Sequence, residues 1–357
     1  MRVLVTGGIG LVGRTTVARL LRHGHEVHIL DRVPREEVSA EAWTQVEGAV
    51  YHQVDITDFG VLGPYFAGME SVVHLAAYPH PGAAPEAELL RVNCTGAFNI
   101  YRAAADAGIK RVVSASSINA LGYNYGIKGF PIEYLPMDEE HPTYTTDPYS
   151  YSKRVLEETA DYFWRREGIS GVCLRLPGVF DTASPWASRM KGFGPMRMKA
   201  FQELKEMPEE ERRQRIARVI EEFETHRAER LQEMPWEEQR KRFGRRRFDP
   251  NTPPPPEMML SFGRSDFWAL IHVEDAAQAF EKGLTGEYEG SHPLFVCDEE
   301  NSVGVPSREL AGYFFPEVSA WKREVEGTAS LVSTEKARSL IGFTTENSMR
   351  AWMSSEG

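Results

Sequence analysis

The stretch RVLVTGGIGLVG at 2–13 constrains the fold more than any other part of this 357-residue chain. A β-branched, apolar run enters a turn in which Gly7, Gly10 and Gly13 recur every third residue, and a helical pattern begins near Arg14. Each glycine answers a different need: a tight turn, close approach of main chain to a bound group, and packing of a helix onto the strand before it. The N–H groups opening such a helix have no partner inside it and attract phosphate. Strand, glycine turn and helix in this order imply a dinucleotide whose pyrophosphate sits at the C-terminal edge of a parallel sheet.

The pattern then repeats. EVHILD at 26–31, a short run near 50–54, SVVHLAA at 71–77, RVVSAS at 111–116 and GVCLRLPGVF at 171–180 alternate with helical stretches, including one around 88–107 and one containing Tyr149–Arg165. Short apolar strands separated by amphipathic helices predict a doubly wound α/β fold, with a parallel sheet covered on both faces. Pro177 and Gly178 stop or bend the last of these strands. Asp31 ends the second strand, where a carboxylate accepts hydrogen bonds from ribose hydroxyls and repels a 2′-phosphate. NAD is therefore expected over NADP, with Arg32 as the one neighbour able to pull the other way.

After 180 the regularity fails. Residues 209–231, EEERRQRIARVIEEFETHRAERL, mix both charges at helical spacing, and the basic run RKRFGRRRF at 240–248 and Pro253–Pro256 follow. One or two solvent-exposed helices with a proline-rich exit account for this composition, as an inserted lobe over a cleft or as an appendage. IHVEDAAQAFEKGL at 271–284 reads as a strand turning into a helix, and TASLVSTEKARSLIGF at 328–343 belongs to a small α/β portion. The expected organisation is a dinucleotide-binding domain at 1–180 and a substrate-binding portion at 181–357. Within the latter, the charged insertion occupies about 199–248 and part of 265–290 returns to the main domain.

Composition removes several function classes. A formal net charge of −11 argues against nucleic acid as the partner. Cys94, Cys173 and Cys297 lack CxxC spacing, so buried reduced thiols and no metal site are expected. No run of about 18 apolar residues offers a membrane span, and no basic leader precedes MRVLVTG, so a cytoplasmic location is expected.

The stretch DPYSYSKR at 147–154 carries the chemistry. Tyr149 lies four residues before Lys153, which puts phenol and ammonium on one helix face, where the cation can lower the phenol pKa for general acid–base work.

Together these motifs resemble the extended short-chain dehydrogenase/reductases, in their NAD-dependent epimerase/dehydratase branch. TGGIGLVG, Asp31, DIT at 55–57, HLAA at 74–77, Asn93 in RVNCTGAFNI, SASS at 114–117 and YSYSK at 149–153 fall in family order. The match runs from Met1 to about Phe180 and resumes at IHVEDAA. It implies a Rossmann-like fold, NAD as cofactor, a sugar-like small-molecule substrate and a homodimer. The resemblance assigns the whole turn to the cofactor: Gly7, Gly8, Ile9, Gly10, Leu11, Val12 and Gly13. It adds Asp31 and Arg32, puts Asp55 and Ile56 at the adenine, lines the dinucleotide with Leu75, Ala76 and Ala77, and uses Asn93 to hold nearby backbone. Pro177 lies beside the nicotinamide. Tyr149 is then the acid–base, Lys153 lowers its pKa and holds the nicotinamide ribose, and Ser117 aligns the substrate oxygen, with Ser116 and then Ser114 as the alternatives.

Three departures narrow the implied chemistry. Ile118 and Asn119 follow Ser117 where dehydratases of the family carry an Asp–Glu pair. Arg175-Leu176-Pro177-Gly178 replaces an asparagine-bearing motif, and Trp268-Ala269 replaces an Arg-Asp pair, so two diphosphate anchors are missing; Arg189, Arg197 and Arg264 are the substitutes on offer. An epimerase or dehydrogenase acting on a secondary hydroxyl of a sugar is expected, a substrate without a nucleotide being the alternative and a non-catalytic dinucleotide-binding protein the third. His74 reads as a packing or capping residue, His80 as a loop residue able to face substrate, and His272 as structural. Tyr123, Asn124 and Tyr125 fit either a pocket lining or a surface turn.

Overall fold

In the computed structural model, residues 1–184, 191, 193–229 and 254–354 are described. Arg189 and the basic run at 240–248 lie outside them.

The strands are β1 (Arg2–Thr6), β2 (Glu26–Asp31), β3 (Val50–Gln53), β4 (Ser71–His74), β5 (Val112–Ser117), β6 (Tyr134–Leu135), β7 (Gly171–Leu176), β8 (Gly178–Phe180), β9 (Leu270–His272), β10 (Ser291–Phe295) and β11 (Ala320–Trp321). Seven of them form one parallel sheet in the order β10-β7-β5-β4-β1-β2-β3. The two small parallel pairs are β8 with β9 and β6 with β11. Parallel neighbours need crossovers, and helices supply them. These are α1 (Leu11–Arg22), α2 (Ala40–Gln45), α3 (Phe59–Phe66), α4 (Glu86–Leu90), α5 (Ala97–Asp106) and α6 (Pro148–Glu167). Later come α7 (Phe193–Glu206), α8 (Glu209–Glu229), α9 (Pro256–Ser261), α10 (Val273–Thr285), α11 (Ser307–Phe314), α12 (Glu335–Ile341) and α13 (Met349–Ser354).

Both sheet faces are buried, as a parallel sheet requires. On one face Val17 and Leu20 of α1, Ala276, Ala279, Phe280 and Leu284 of α10, and Ala337 and Ile341 of α12 cover Val3, Val5, Val73, Val113, Val172 and Leu174. On the other, Leu62 and Phe66 of α3, Ile100 and Ala104 of α5, and Leu156, Ala160 and Phe163 of α6 cover Leu4, Leu30, Val72 and Val112. Each fully buried Phe contributes about 1.5–3 kcal/mol of transfer free energy. The strand β10 comes from residues 291–295, past the 265–290 stretch, so the sheet is assembled from both halves of the chain.

Its α6 helix is explicit in sequence. Asp147 caps it by accepting from Ser150 N at 2.8 Å, Pro148 occupies the first turn, and Gly168 ends it at φ 66°. Leu156, Ala160 and Phe163 bury one stripe of α6, and Tyr149 and Lys153 continue that stripe toward its N-terminus.

A separate core fills the C-terminal lobe. Ala200, Phe201 and Leu204 of α7 and Ile216 of α8 pack with Phe267, Trp268, Phe314 and Phe315. The charged helices expected to be solvent-exposed therefore bury an apolar stripe, while pairs such as Arg213–Glu210 and Arg215–Glu211, both 2.7 Å, hold the outer face of α8.

Candidate active site

The glycine turn is built by contacts that admit no side chain. Gly7 has φ +70°, and a Cβ there would lie 2.7 Å from Ala76 N; at Gly13 it would lie 2.1 Å from Gly7 O. The helix opens at Leu11 with Gly10 as its N-cap, earlier than the expected start near Arg14. Gly13 thus sits inside the first turn of α1, because only glycine lets that turn close on the main chain of Gly7. Above it lies a groove of about 300 Å³ lined by Gly7, Ile9, Gly10, Asp31, Arg32, Asp55, Ile56, Leu75, Ala76 and Ala77, together with Tyr78 and Val92. Gly8 packs on Ile29 of the strand beside it, and Leu11 is exposed while Val12 borders the sheet core.

Asp31 is oriented by main chain, accepting from Ile9 N at 3.3 Å and Val33 N at 3.2 Å. Burial works against the Asp55 carboxylate, but bonds from Thr57 and the charges of Arg91 and Arg32 hold it below its ordinary pKa. A glycine cradle, a carboxylate at the end of β2 and apolar walls fit an adenine dinucleotide.

A small neighbouring cavity shares Leu75, Ala76 and Ala77 with this groove and is also lined by Asn93, Ala115, Ser152 and Lys153, and here side chains take over from main chain. Tyr149, Lys153 and Ser117 are all buried. Lys153 Nζ donates to Ala115 O at 2.8 Å and lies 5.7 Å from the centroid of the Tyr149 ring. Ser117 Oγ accepts from Asn119 N at 3.1 Å and Asn119 Nδ2 at 3.2 Å and donates to Leu176 O at 3.4 Å, and it lies near enough to the Tyr149 phenol to favour its ionised form. The two alternative serines are engaged elsewhere: Ser116 donates to Glu157 at 2.7 Å and Ser114 pairs with Tyr101 at 3.0 Å.

Burial dominates the electrostatics of this cluster. Burial pushes the Tyr149 phenol above its ordinary value while the Ser117 hydroxyl pulls it down, and burial lowers Lys153 to about 8. Lys153 is not among the groups that shift the phenol, because burial lowers its own pKa so far that it loses its charge before the phenol ionises; it acts on the phenol only while protonated.

Asn93 sits in a π-helical turn, Arg91–Gly96, between α4 and α5. Its Oδ1 accepts from Tyr78 N at 2.8 Å, and its Nδ2 donates to Tyr78 O at 3.1 Å and to Ser152 Oγ at 3.0 Å. One side chain thereby ties the loop after β4 to α6. Sequence reasoning missed Tyr78, although it directly follows HLAA. It also missed Glu157, one turn beyond Lys153, whose carboxylate takes Arg175 Nε and Nη2, each at 2.8 Å. Arg175 is 1% exposed. It is committed to an internal ion pair and gives no phosphate anchor.

The other residues singled out have structural partners. Thr6 Oγ1 accepts from the N–H groups of Leu75 and Ala76, so its own proton points to His74 Nδ1 at 2.8 Å. Burial and the nearby Lys153 charge hold that imidazole neutral, with a pKa near about 3. His272 caps α10 through Glu274 N and meets Thr182 at 2.9 Å. His80 is exposed beside Pro81. Tyr123 is buried in the lobe core, whereas Tyr125 stands edge-on to the Tyr149 ring at 5.6 Å. Arg264 is buried and donates to Phe314 O at 2.9 Å, and Trp268 Nε1 donates to Leu260 O. Pro177 lies between β7 and β8. Cys173 and Cys297 are buried and Cys94 partly so, all as free thiols. Among the described residues there is no His/Cys/Asp/Glu cluster able to hold a metal, and no helix is long and apolar enough to cross a membrane.

Fold and groove define a dinucleotide-binding α/β protein. The model of the NAD dependent epimerase/dehydratase family matches residues 3–207, more than half of the chain, and the chain belongs to that family. NAD, the expected cofactor, is the dinucleotide for which the family is named. UDP-glucose 4-epimerase of Bacillus subtilis is 31% identical over 179 residues, covering 46% of this chain and 50% of that protein. L-arabinose 1-dehydrogenase (NAD(P)(+)) of Haloferax volcanii is 33% identical over 181 residues, 49% of this chain and 66% of that one. The matched stretch thus spans about half to two thirds of these relatives. A solved UDP-glucose 4-epimerase from Thermotoga maritima with UDP-glucose superposes with a TM-score of 0.59 at 15% identity, covering 99% of this chain and 96% of that one.

Proposed function

We propose that this chain is an NAD-dependent oxidoreductase that acts on a secondary hydroxyl of a sugar or sugar derivative. The observation that carries the reading is the cluster of buried Tyr149, Ser117 and Lys153 beside a groove shaped for a dinucleotide, Lys153 lining a small cavity that shares Leu75, Ala76 and Ala77 with that groove. NAD supplies the hydride acceptor. Ser117 Oγ, fixed by Asn119, orients the substrate oxygen; Tyr149 takes the hydroxyl proton in oxidation and returns it in reduction. Lys153, held by Ala115 O, places a positive charge beside the phenol, which favours the phenolate whenever the ammonium is protonated. Retention and re-reduction of the ketone on its other face make an epimerase; release makes a dehydrogenase.

Sugar-nucleotide substrates are supported by the epimerase relatives. A specific observation favours the second reading, a dehydrogenase of a sugar without a nucleotide. Arg175 is locked onto Glu157, Trp268 occupies the other anchor position, and Arg264 is turned to Phe314 O. The named dehydrogenase of L-arabinose among the relatives agrees with this arrangement.

Turnover of free and nucleotide-linked sugars, followed by nicotinamide absorbance and product stereochemistry with Tyr149→Phe as control, separates the two. Stoichiometric NADH means a dehydrogenase, and an isomer without net NADH means an epimerase. Absence of both with every sugar sinks the enzymatic reading. A homodimer is part of the proposal: Phe98 of α5 and Tyr151 and Tyr162 of α6 are 44%, 52% and 36% exposed. Light scattering of the purified chain tests it.

A further inference from the structure

Resting on the assignment of NAD to the groove, we propose that Tyr78 is a specificity-determining residue that sequesters Arg32 and so keeps the site selective for NAD over NADP.

Arg32 follows Asp31 at the end of β2, where an arginine can pair with a 2′-phosphate on the adenosine ribose. Its guanidinium is engaged in another direction. Arg32 Nη1 donates to the Tyr78 hydroxyl at 3.1 Å, and its central carbon lies 5.0 Å from the centroid of the Tyr78 ring.

An exposed arginine held by a mobile tyrosine would be no device at all. The main chain of Tyr78 is fixed, however: Asn93 binds both its N–H and its C=O, and Asn93 is in turn bonded to Ser152 on α6, so the ring is presented to Arg32 from an anchored backbone. Asp31, Arg32, Asp55 and Tyr78 all line the one groove. A 2′-phosphate arriving there meets the Asp31 carboxylate, with the Asp55 carboxylate nearby and the Arg32 guanidinium drawn toward Tyr78. The ribose hydroxyls of NAD need only Asp31.

The test is a set of binding titrations on the full-length protein, with NAD and NADP each followed by calorimetry, for the wild type, Tyr78→Phe, Tyr78→Ala, Arg32→Ala and the Tyr78→Ala/Arg32→Ala double variant. Tyr78→Ala is expected to narrow the preference for NAD by about tenfold, mainly by tightening NADP through a charge-assisted pair. Tyr78→Phe, which keeps the ring but not the hydroxyl, should fall between it and the wild type. In the double variant the gain in NADP affinity should vanish. Equal changes on both dinucleotides in Tyr78→Ala, or a gain for NADP that survives loss of Arg32, overturns the inference while leaving the NAD assignment standing. A wild type that binds neither dinucleotide overturns both.

Discussion

The dinucleotide groove and the Tyr149 cluster beside it are made of different materials. At the glycine turn, main-chain atoms of Gly7, Ile9, Gly13 and Ala76 set the shape, while Asp31, Arg32, Asp55 and Tyr78 line the space beyond it. In the Tyr149 cluster, three buried side chains supply everything, and two of them are ionisable groups removed from water. A main-chain site tolerates no added atom but holds little electrostatic energy. A side-chain site is the reverse: shape-tolerant, but dependent on charges whose desolvation the fold must offset.

The sharpest way to break this contrast is Tyr149→Phe. It should lower turnover by about 10²–10⁴-fold and leave NAD affinity within about twofold. Single-turnover kinetics beside calorimetric titration would show it, and a matching loss of NAD binding would mean that groove and cluster are not separable.

Next comes Arg175→Met. Removing one partner of the buried pair leaves Glu157 uncompensated and should cost about 3–5 kcal/mol in urea-induced unfolding. A loss below about 1 kcal/mol would show that Ser116 and Arg154, the other donors to Glu157, suffice.

Gly13→Ala probes the groove. A Cβ 2.1 Å from Gly7 O forces the turn open, so NAD affinity should fall by about ten- to a hundredfold, with turnover at saturating NAD largely kept. Unchanged affinity would remove the main-chain account of the groove.

The smallest effect is a gain. Lys153 has a folded pKa of about 8, below its value of 10.5 in water, so the unfolded chain binds more protons between those two values. Stability should therefore rise as pH increases from about 8 toward 10.5, and below 8 the full cost of the buried ammonium is present. Lys153→Met relieves that cost, and at pH 7 it should raise stability by on the order of 1–2 kcal/mol while abolishing turnover. Thermal unfolding at pH 7 and pH 9.5 measures both the sign and the size; a lower melting temperature at pH 7 for the variant would mean that Lys153 is stabilised by more than Ala115 O and Glu157.

The same contrast explains what was legible in the sequence. Backbone requirements leave glycines at fixed spacing, so β1, the turn and α1 could be read from TGGIGLVG. The spacing of Tyr149 and Lys153 could be read because one helix carries both. Pairings between elements left no local trace. Arg175 on β7 and Glu157 on α6 meet only because α6 packs beside that strand, and the arginine read in isolation as part of a lost anchor motif. The helix at 209–229 looked solvated because charges outnumber the apolar residues along it. Its Ile216 nevertheless joins Ala200, Phe201 and Leu204 in one buried stripe, which the lobe core completes with residues more than fifty positions away.

The position of β10 at the sheet edge has a consequence for synthesis on the ribosome. Its neighbour β7 ends at Leu176, yet β10 begins only at Ser291. For the time needed to add roughly a hundred residues, on the order of ten seconds, the nascent chain carries a buried-type strand, GVCLRL, with one side unpaired. An open, largely apolar edge is a template for pairing with another chain. The arginine within that strand is then the only local guard. Aggregation of this protein should be decided during elongation, and slowing translation between β7 and β10 should lower the soluble yield even when the finished molecule is stable.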